Sequence, residues 1–167
     1  MKKLLLIRHA KSSWSDDSIS DKERPLNARG KKAAPFMAEI LKKKNINIEL
    51  FISSPAERAF ATAKKFADTF GYPRNKIKII EDLYGAATYE IMEIVNNFDN
   101  NLECVAIFGH NPDLTQFNNF LSDTYIDNIP TTGIVLLHFE VDNWTDIGSG
   151  IGKLQFFDYP KKFNPLL

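Results

Sequence analysis

The chain has 167 residues, 44% of them hydrophobic, which is enough to bury one core and predicts a single domain over residues 1–167. Lys plus Arg and Asp plus Glu both total 21, so no overall field exists to hold nucleic acid or an acidic membrane, and any functional positive charge must be local. The apolar run Leu4-Leu5-Leu6-Ile7 ends at Arg8, short of the roughly 7–15 residues of a secretory h-region, and no other stretch is long enough to cross a bilayer. These features predict a soluble, cytoplasmic protein.

In chain order, Lys3 to Ile7 reads as a buried strand, followed by a polar loop from Lys11 to Glu23 that is too long to be idle in a compact domain. Asn27 is placed to cap a helix running to about Lys44, with a kink expected at the interior Pro35. Leu50 to Ser53 makes a second strand. Ser54-Pro55-Ala56-Glu57 then reads as N-cap, first-position proline and capping-box glutamate, which sets Arg58 about one turn into a helix, near the end that favours anions. A third strand is expected at Ile77 to Ile80, a helix capped by Thr88 through Val95, and a fourth strand at Cys104 to Phe108. The only cysteine, Cys104, lies in that apolar run, so no internal disulfide is possible and a buried, inert thiol is expected. Asn111-Pro112 repeats the cap-plus-proline pattern. Gly133 to Val141 and Gly150 to Asp158 read as an antiparallel hairpin at the sheet edge. Strands alternating with helices predict an α/β three-layer sandwich around a mostly parallel central sheet.

Two arginine-histidine stations stand out in this frame. Arg8-His9 follows the first strand, and Arg58 pairs with His110, which follows the fourth. Strand ends of open α/β sheets meet at one crevice, so the two stations are expected to converge. A neutral imidazole can attack phosphorus, and the anionic phosphoryl oxygens then need fixed donors, a role suited to the always-charged arginine fork. Repulsion from two arginines is expected to hold His9 deprotonated near neutral pH. A metal site is not expected, because two fixed cations beside the histidines repel a third. His138, with no partner motif, reads as structural, as do Trp14 as a packing residue and Lys42-Lys43-Lys44 as a solvated helix end.

Arg8-His9-Ala10-Lys11-Ser12-Ser13-Trp14-Ser15 resembles the Arg-His-Gly signature loop of the histidine phosphatase superfamily, the phosphoglycerate mutase-like fold. Ser53-Ser54-Pro55-Ala56-Glu57-Arg58-Ala59 and Gly109-His110 resemble its second and third blocks in the same order. The short chain and Arg24-Pro25-Leu26-Asn27-Ala28-Arg29-Gly30 are similar to the SixA group of phosphohistidine phosphatases. The resemblance implies a two-step phosphoryl transfer that needs no metal or other cofactor, with His9 carrying the phosphoryl group while Arg8, Arg58 and His110 hold it. Its implied partner is a phosphorylated protein bearing phosphohistidine, or a small phosphorylated molecule, with inorganic phosphate as product.

Departures from the family pattern narrow the substrate. Ala10 stands where a glycine is usual, and Ser15 where mutase-type loops carry asparagine. Leu83 is followed by Tyr84 and Gly85, so the carboxylate that protonates an alcohol leaving group in larger members is missing, with Glu81, Asp82 or Glu90 as possible substitutes. An alcohol leaves poorly without that proton, whereas imidazole, with a free pKa of ~6.5, leaves readily, which favours phosphohistidine. Ser15, Arg24 and Asp82 are therefore the candidate substrate-binding residues. Arg24 has two open readings, contact with substrate at the pocket mouth or a surface pair with Asp21. The alternatives to a phosphohistidine phosphatase are a small-molecule phosphomonoesterase of the same superfamily and a phosphate- or phosphoprotein-binding module without turnover.

Overall fold

A computed structural model describes residues 1–167. Six strands form one sheet: β1 (Lys2–Arg8), β2 (Leu50–Ser53), β3 (Lys78–Ile79), β4 (Cys104–Gly109), β5 (Ile134–Phe139) and β6 (Lys153–Asp158). Their spatial order is β3-β2-β4-β1-β5-β6. The first four are mutually parallel, while β5 runs antiparallel to β1 and β6 antiparallel to β5, so the expected hairpin does form the edge.

The helices are α1 (Ala28–Lys42), α2 (Glu57–Phe70), α3 (Thr88–Asn96), α4 (Asp113–Leu121) and α5 (Pro160–Phe163). Leu5 and Ile7 of β1 pack with Met37 and Leu41 of α1 and Phe66 of α2 on one face of the sheet. Leu4 and Leu6 pack with Ile91 and Val95 of α3 and Phe117 of α4 on the other. Successive strand side chains point to opposite faces, and both faces are covered, which is why β1 is an unbroken apolar run rather than an alternating one. No helix is long and apolar enough to cross a membrane.

Several boundaries differ from the sequence reading. α1 starts as expected, the Asn27 side chain accepting from Gly30 N at 2.8 Å, and it continues through Pro35. The expected Ser54 cap is corrected: α2 begins at Glu57 with Ala56 as its N-cap, and Arg58 is the second helical residue. The Ser54 hydroxyl accepts only from Ala56 N, ahead of the first helical residue, and is shared with His110. α3 is capped one residue earlier than expected, because the Glu90 carboxylate accepts from Ala87 N at 2.8 Å and no side-chain bond from Thr88 is needed. α4 begins after Pro112, with Asn111 reaching forward to accept from Thr115. The third strand shrinks to two exposed residues at the sheet edge. Cys104 is buried, and burial pushes its thiol up to about 12.

Candidate active site

The register sets Arg8 of β1 beside Gly109 of β4, and Ser53 of β2 beside Phe108, so the residues that follow all three strands emerge at one end of the sheet. There they line a cavity of about 580 Å³ that contains Arg8, His9, Arg24, Arg58 and His110. Both arginine-histidine stations thus share one cavity.

The backbone of the first station is held from three sides. His9 N donates to Gly109 O at 3.0 Å, and Thr132 N donates to the carbonyls of both Arg8 and His9 at 3.1 Å. Ala10 N donates to Thr62 Oγ1 at 2.9 Å, and the same hydroxyl donates to Arg58 O at 2.7 Å, which couples α2 to the His9 loop. Ala10 is fully buried with Leu26 and Ala34, so the methyl group that departs from the family glycine packs into a small apolar cluster. Gly30 of α1 lies so close to the Lys11 carbonyl that any Cβ there would collide with it.

This geometry assigns the histidine protons. His9 Nδ1 lies 2.8 Å from Ala10 O, a group that can only accept, so Nδ1 carries the proton and Nε2 keeps its lone pair. Burial is the main force lowering the His9 pKa, to about 3, with smaller contributions from His110, Arg58 and Arg8. The direction matches the sequence expectation, but the dominant cause is desolvation rather than arginine repulsion. The Ser54 hydroxyl accepts from Ala56 N at 3.2 Å and lies 2.7 Å from His110 Nε2. The Ser54 side chain is fully buried and its hydroxyl reaches no acceptor other than Nε2, so its proton goes there, which leaves the His110 proton on Nδ1. That Nδ1 is buried with no protein partner, and burial lowers the His110 pKa to about 4. The two rings lie 5.2 Å apart.

Asp21, in a 3-10 turn of the long loop, gathers the cations. Its carboxylate accepts from Arg58 Nη2 and Arg24 Nε, both at 3.0 Å, and from the Tyr84 hydroxyl, while its carbonyl takes Arg58 Nη1 at 2.6 Å. These partners, Tyr84 first, hold the Asp21 carboxyl well below the usual range. Arg24 pairs with Asp21 and also lines the cavity, its guanidinium stacked 3.5 Å over the exposed Trp14 ring and donating to Ser12 Oγ at 2.6 Å. His138 lies on β5, away from the cavity.

Two candidate substrate-binding residues lie off the cavity wall. Ser15 is exposed and outside the cavity wall, because its hydroxyl is drawn back to Ser13 Oγ at 2.8 Å. Asp82 lies on a 3-10 turn, Glu81–Leu83, whose buried Leu83 anchors it so that Asp82 faces a separate hollow with Lys78 and Glu93. Glu81 pairs with Lys22 at 3.1 Å and Glu90 caps α3, so none of the three substitute acids lines the cavity. The carboxyl on the wall is Asp113, which accepts from Ala86 N at 3.0 Å and whose pKa burial raises. The sequence reading also missed Ser54, Thr62 and Thr132 as site residues. Thr132 carried no sequence signal, yet it is a buried β-branched residue with φ 59°, a strained backbone held by its bonds to the Arg8 and His9 carbonyls.

The sequence profile of the histidine phosphatase superfamily (branch 1) matches residues 4–106. The chain belongs to that superfamily. As a histidine phosphatase superfamily member it is a phosphatase, and known relatives share its whole architecture. An uncharacterized protein of Mycobacterium tuberculosis is 27% identical over 166 residues, covering 93% of this chain and 100% of the relative. Among solved structures, one designated phosphohistidine phosphatase SixA from Agrobacterium tumefaciens superposes with a TM-score of 0.79 at 22% identity, covering 95% of this chain and 98% of its own. A mycobacterial glucosyl-3-phosphoglycerate phosphatase in complex with VO3 superposes with a TM-score of 0.71 at 15% identity, covering 96% and 100%. At such identities these likenesses establish the phosphoglycerate mutase-like fold.

Proposed function

We propose that this phosphatase removes phosphate from phosphohistidine in a protein, through a phosphohistidine formed on His9. The observation that carries this reading is the His9 bond to Ala10, which leaves Nε2 unprotonated on the wall of a cavity lined by three arginines and His110. In the first step Nε2 attacks phosphorus, the bond from phosphorus to the substrate nitrogen breaks, and the departing imidazole takes a proton from water. In the second, water attacks phosphorus, the bond to His9 breaks, and inorganic phosphate leaves. Arg8, Arg58 and His110 Nδ1 donate to the phosphoryl oxygens as charge builds on them. Arg24 flanks the mouth.

The positions of Glu81, Asp82 and Glu90 away from the cavity support a leaving group that departs without a strong acid. Asp113 favours a second reading, a small-molecule phosphomonoesterase, because a carboxyl raised by burial on the cavity wall is suited to protonate an alkoxide.

Phosphate release from a phosphohistidine protein, a phosphoserine peptide and a sugar phosphate, each with chelator present, separates the readings, with His9→Ala as blank. The proposal expects selective, His9-dependent release from phosphohistidine and little effect of Asp113→Asn on it. Faster release from an alcohol phosphate that Asp113→Asn cuts by about 100-fold, the scale of a lost general acid, establishes the second reading instead.

A further inference from the structure

Beside the cavity lies a second hollow of about 250 Å³, and Lys11 and Thr131 belong to the walls of both. Its wall carries three cations from three separate segments: Lys11 from the loop after β1, Arg29 from the first turn of α1, and Lys161 from α5. All three are exposed. No carboxylate, that of Leu167 on the same wall included, pairs with any of them, although seven other ion pairs tie up cations elsewhere in a chain whose charges balance. Arg29 lies where the helix dipole favours an anion, and no acid occupies the first turn of α1 to offset it. Three like charges around one small hollow also repel one another.

We infer that this hollow is a second anion subsite, which receives a phosphate or carboxylate carried by the same substrate whose phosphoryl group enters the His9 cavity. The inference rests on the phosphatase reading above and adds a substrate class to it: a phosphorylated group with a second anion a short distance away. A protein supplies that anion as an acidic side chain near the phosphohistidine, and a small molecule supplies it as a second phosphate. Tyr159 and Thr131 also belong to the wall of the hollow.

Titration calorimetry of the intact protein tests this without turnover, using hexane bisphosphonate against hexylphosphonate, and a peptide carrying a stable phosphohistidine analogue flanked by Glu against the same peptide flanked by Gln. The unmutated protein should bind the dianionic member of at least one pair about tenfold more tightly. Arg29→Gln combined with Lys161→Gln should abolish that advantage while leaving hexylphosphonate affinity unchanged, which also shows the variant is folded. A preference confined to the peptides identifies a protein substrate, and one confined to the bisphosphonate a small molecule. Equal affinities within both pairs, or an advantage that survives the double substitution, overturns the inference. Failure of the phosphatase reading looks different: no release from any phosphorylated substrate, with the bisphosphonate preference intact.

Discussion

The proton on each histidine is fixed by an oxygen that leaves it one choice, and the chemistry follows from that. His9 presents Nε2 because Ala10 O takes Nδ1–H, and burial keeps the ring neutral down to about 3. The acid limb of kcat/KM is therefore expected well below pH 5 rather than near the ordinary histidine value of about 6.5, and a pH profile between 4 and 8 checks it. An acid limb centred near 6.5 would mean that His9 is solvated in the working enzyme. Ser54 acts through His110: with Ser54→Ala the ring loses the donor to Nε2, and the proton is free to move off Nδ1. A loss of about 10-fold to 100-fold in kcat is expected, with a stability cost of about 1–3 kcal/mol for the Ala56 N–H and His110 Nε2 left unpaired. The positions of Arg8, His9, Arg58 and His110 were legible because each sits at the end of a strand, directly after one, or at a helix start, where a local motif fixes position. Ser15 and Asp82 were not legible, since one hydrogen bond within a loop and one buried leucine in a 3-10 turn decide where they point. Neither contact has a pattern in the sequence.

At the scale of elements, the site depends on how closely α1 approaches the loop after β1. Gly30 has a Cβ position already filled by the Lys11 carbonyl, and Asn27 N donates to that same carbonyl at 3.0 Å. Gly30→Ala therefore sets two effects against each other. Alanine favours a helix by about 1 kcal/mol over glycine, whereas forcing a methyl into a packed contact costs roughly 1–3 kcal/mol and displaces the loop two residues from His9. The clash is with backbone, which cannot swing aside, so a lower Tm and a reduced kcat are expected together. Gly148→Ala, where nothing lies within 4 Å, is the matched control and should change neither. The elements themselves were readable from sequence: apolar runs mark the central strands, alternation with helices gives the three-layer sheet, and the paired runs near the C-terminus give the antiparallel edge. Helix starts were read less well because a cap is chosen by whichever oxygen is free. Ser54 was not free, and Glu90 was.

Across the whole molecule, the buried site couples folding to pH. His9 is lowered to about 3 and His110 to about 4, while both titrate near 6.5 in the unfolded chain. Above about 6.5 the rings are neutral in both states and their burial costs nothing in protons. As pH falls from 6.5 toward 4 the unfolded chain binds two protons that the folded chain refuses, so stability declines, by up to about 1.4 kcal/mol per pH unit for each histidine. Asp21 acts in the same direction at lower pH, its contribution present above the ordinary carboxylate range and lost below it. Asp113 opposes the decline, since its raised pKa lets the folded chain hold a proton that the unfolded chain has released. His138, whose pKa burial also lowers, adds to the decline from outside the site, so the site's share is read from the two cavity histidines. The denaturant midpoint should therefore be clearly lower at pH 5 than at pH 7, and the difference should shrink in a His9→Gln, His110→Gln double variant. If the variant keeps the full difference, the acid sensitivity originates outside the site. If it loses the difference, the same desolvation that leaves His9 ready to attack phosphorus is what makes the fold sensitive to acid, because a neutral nucleophile and a proton-refusing fold are one property of the buried ring.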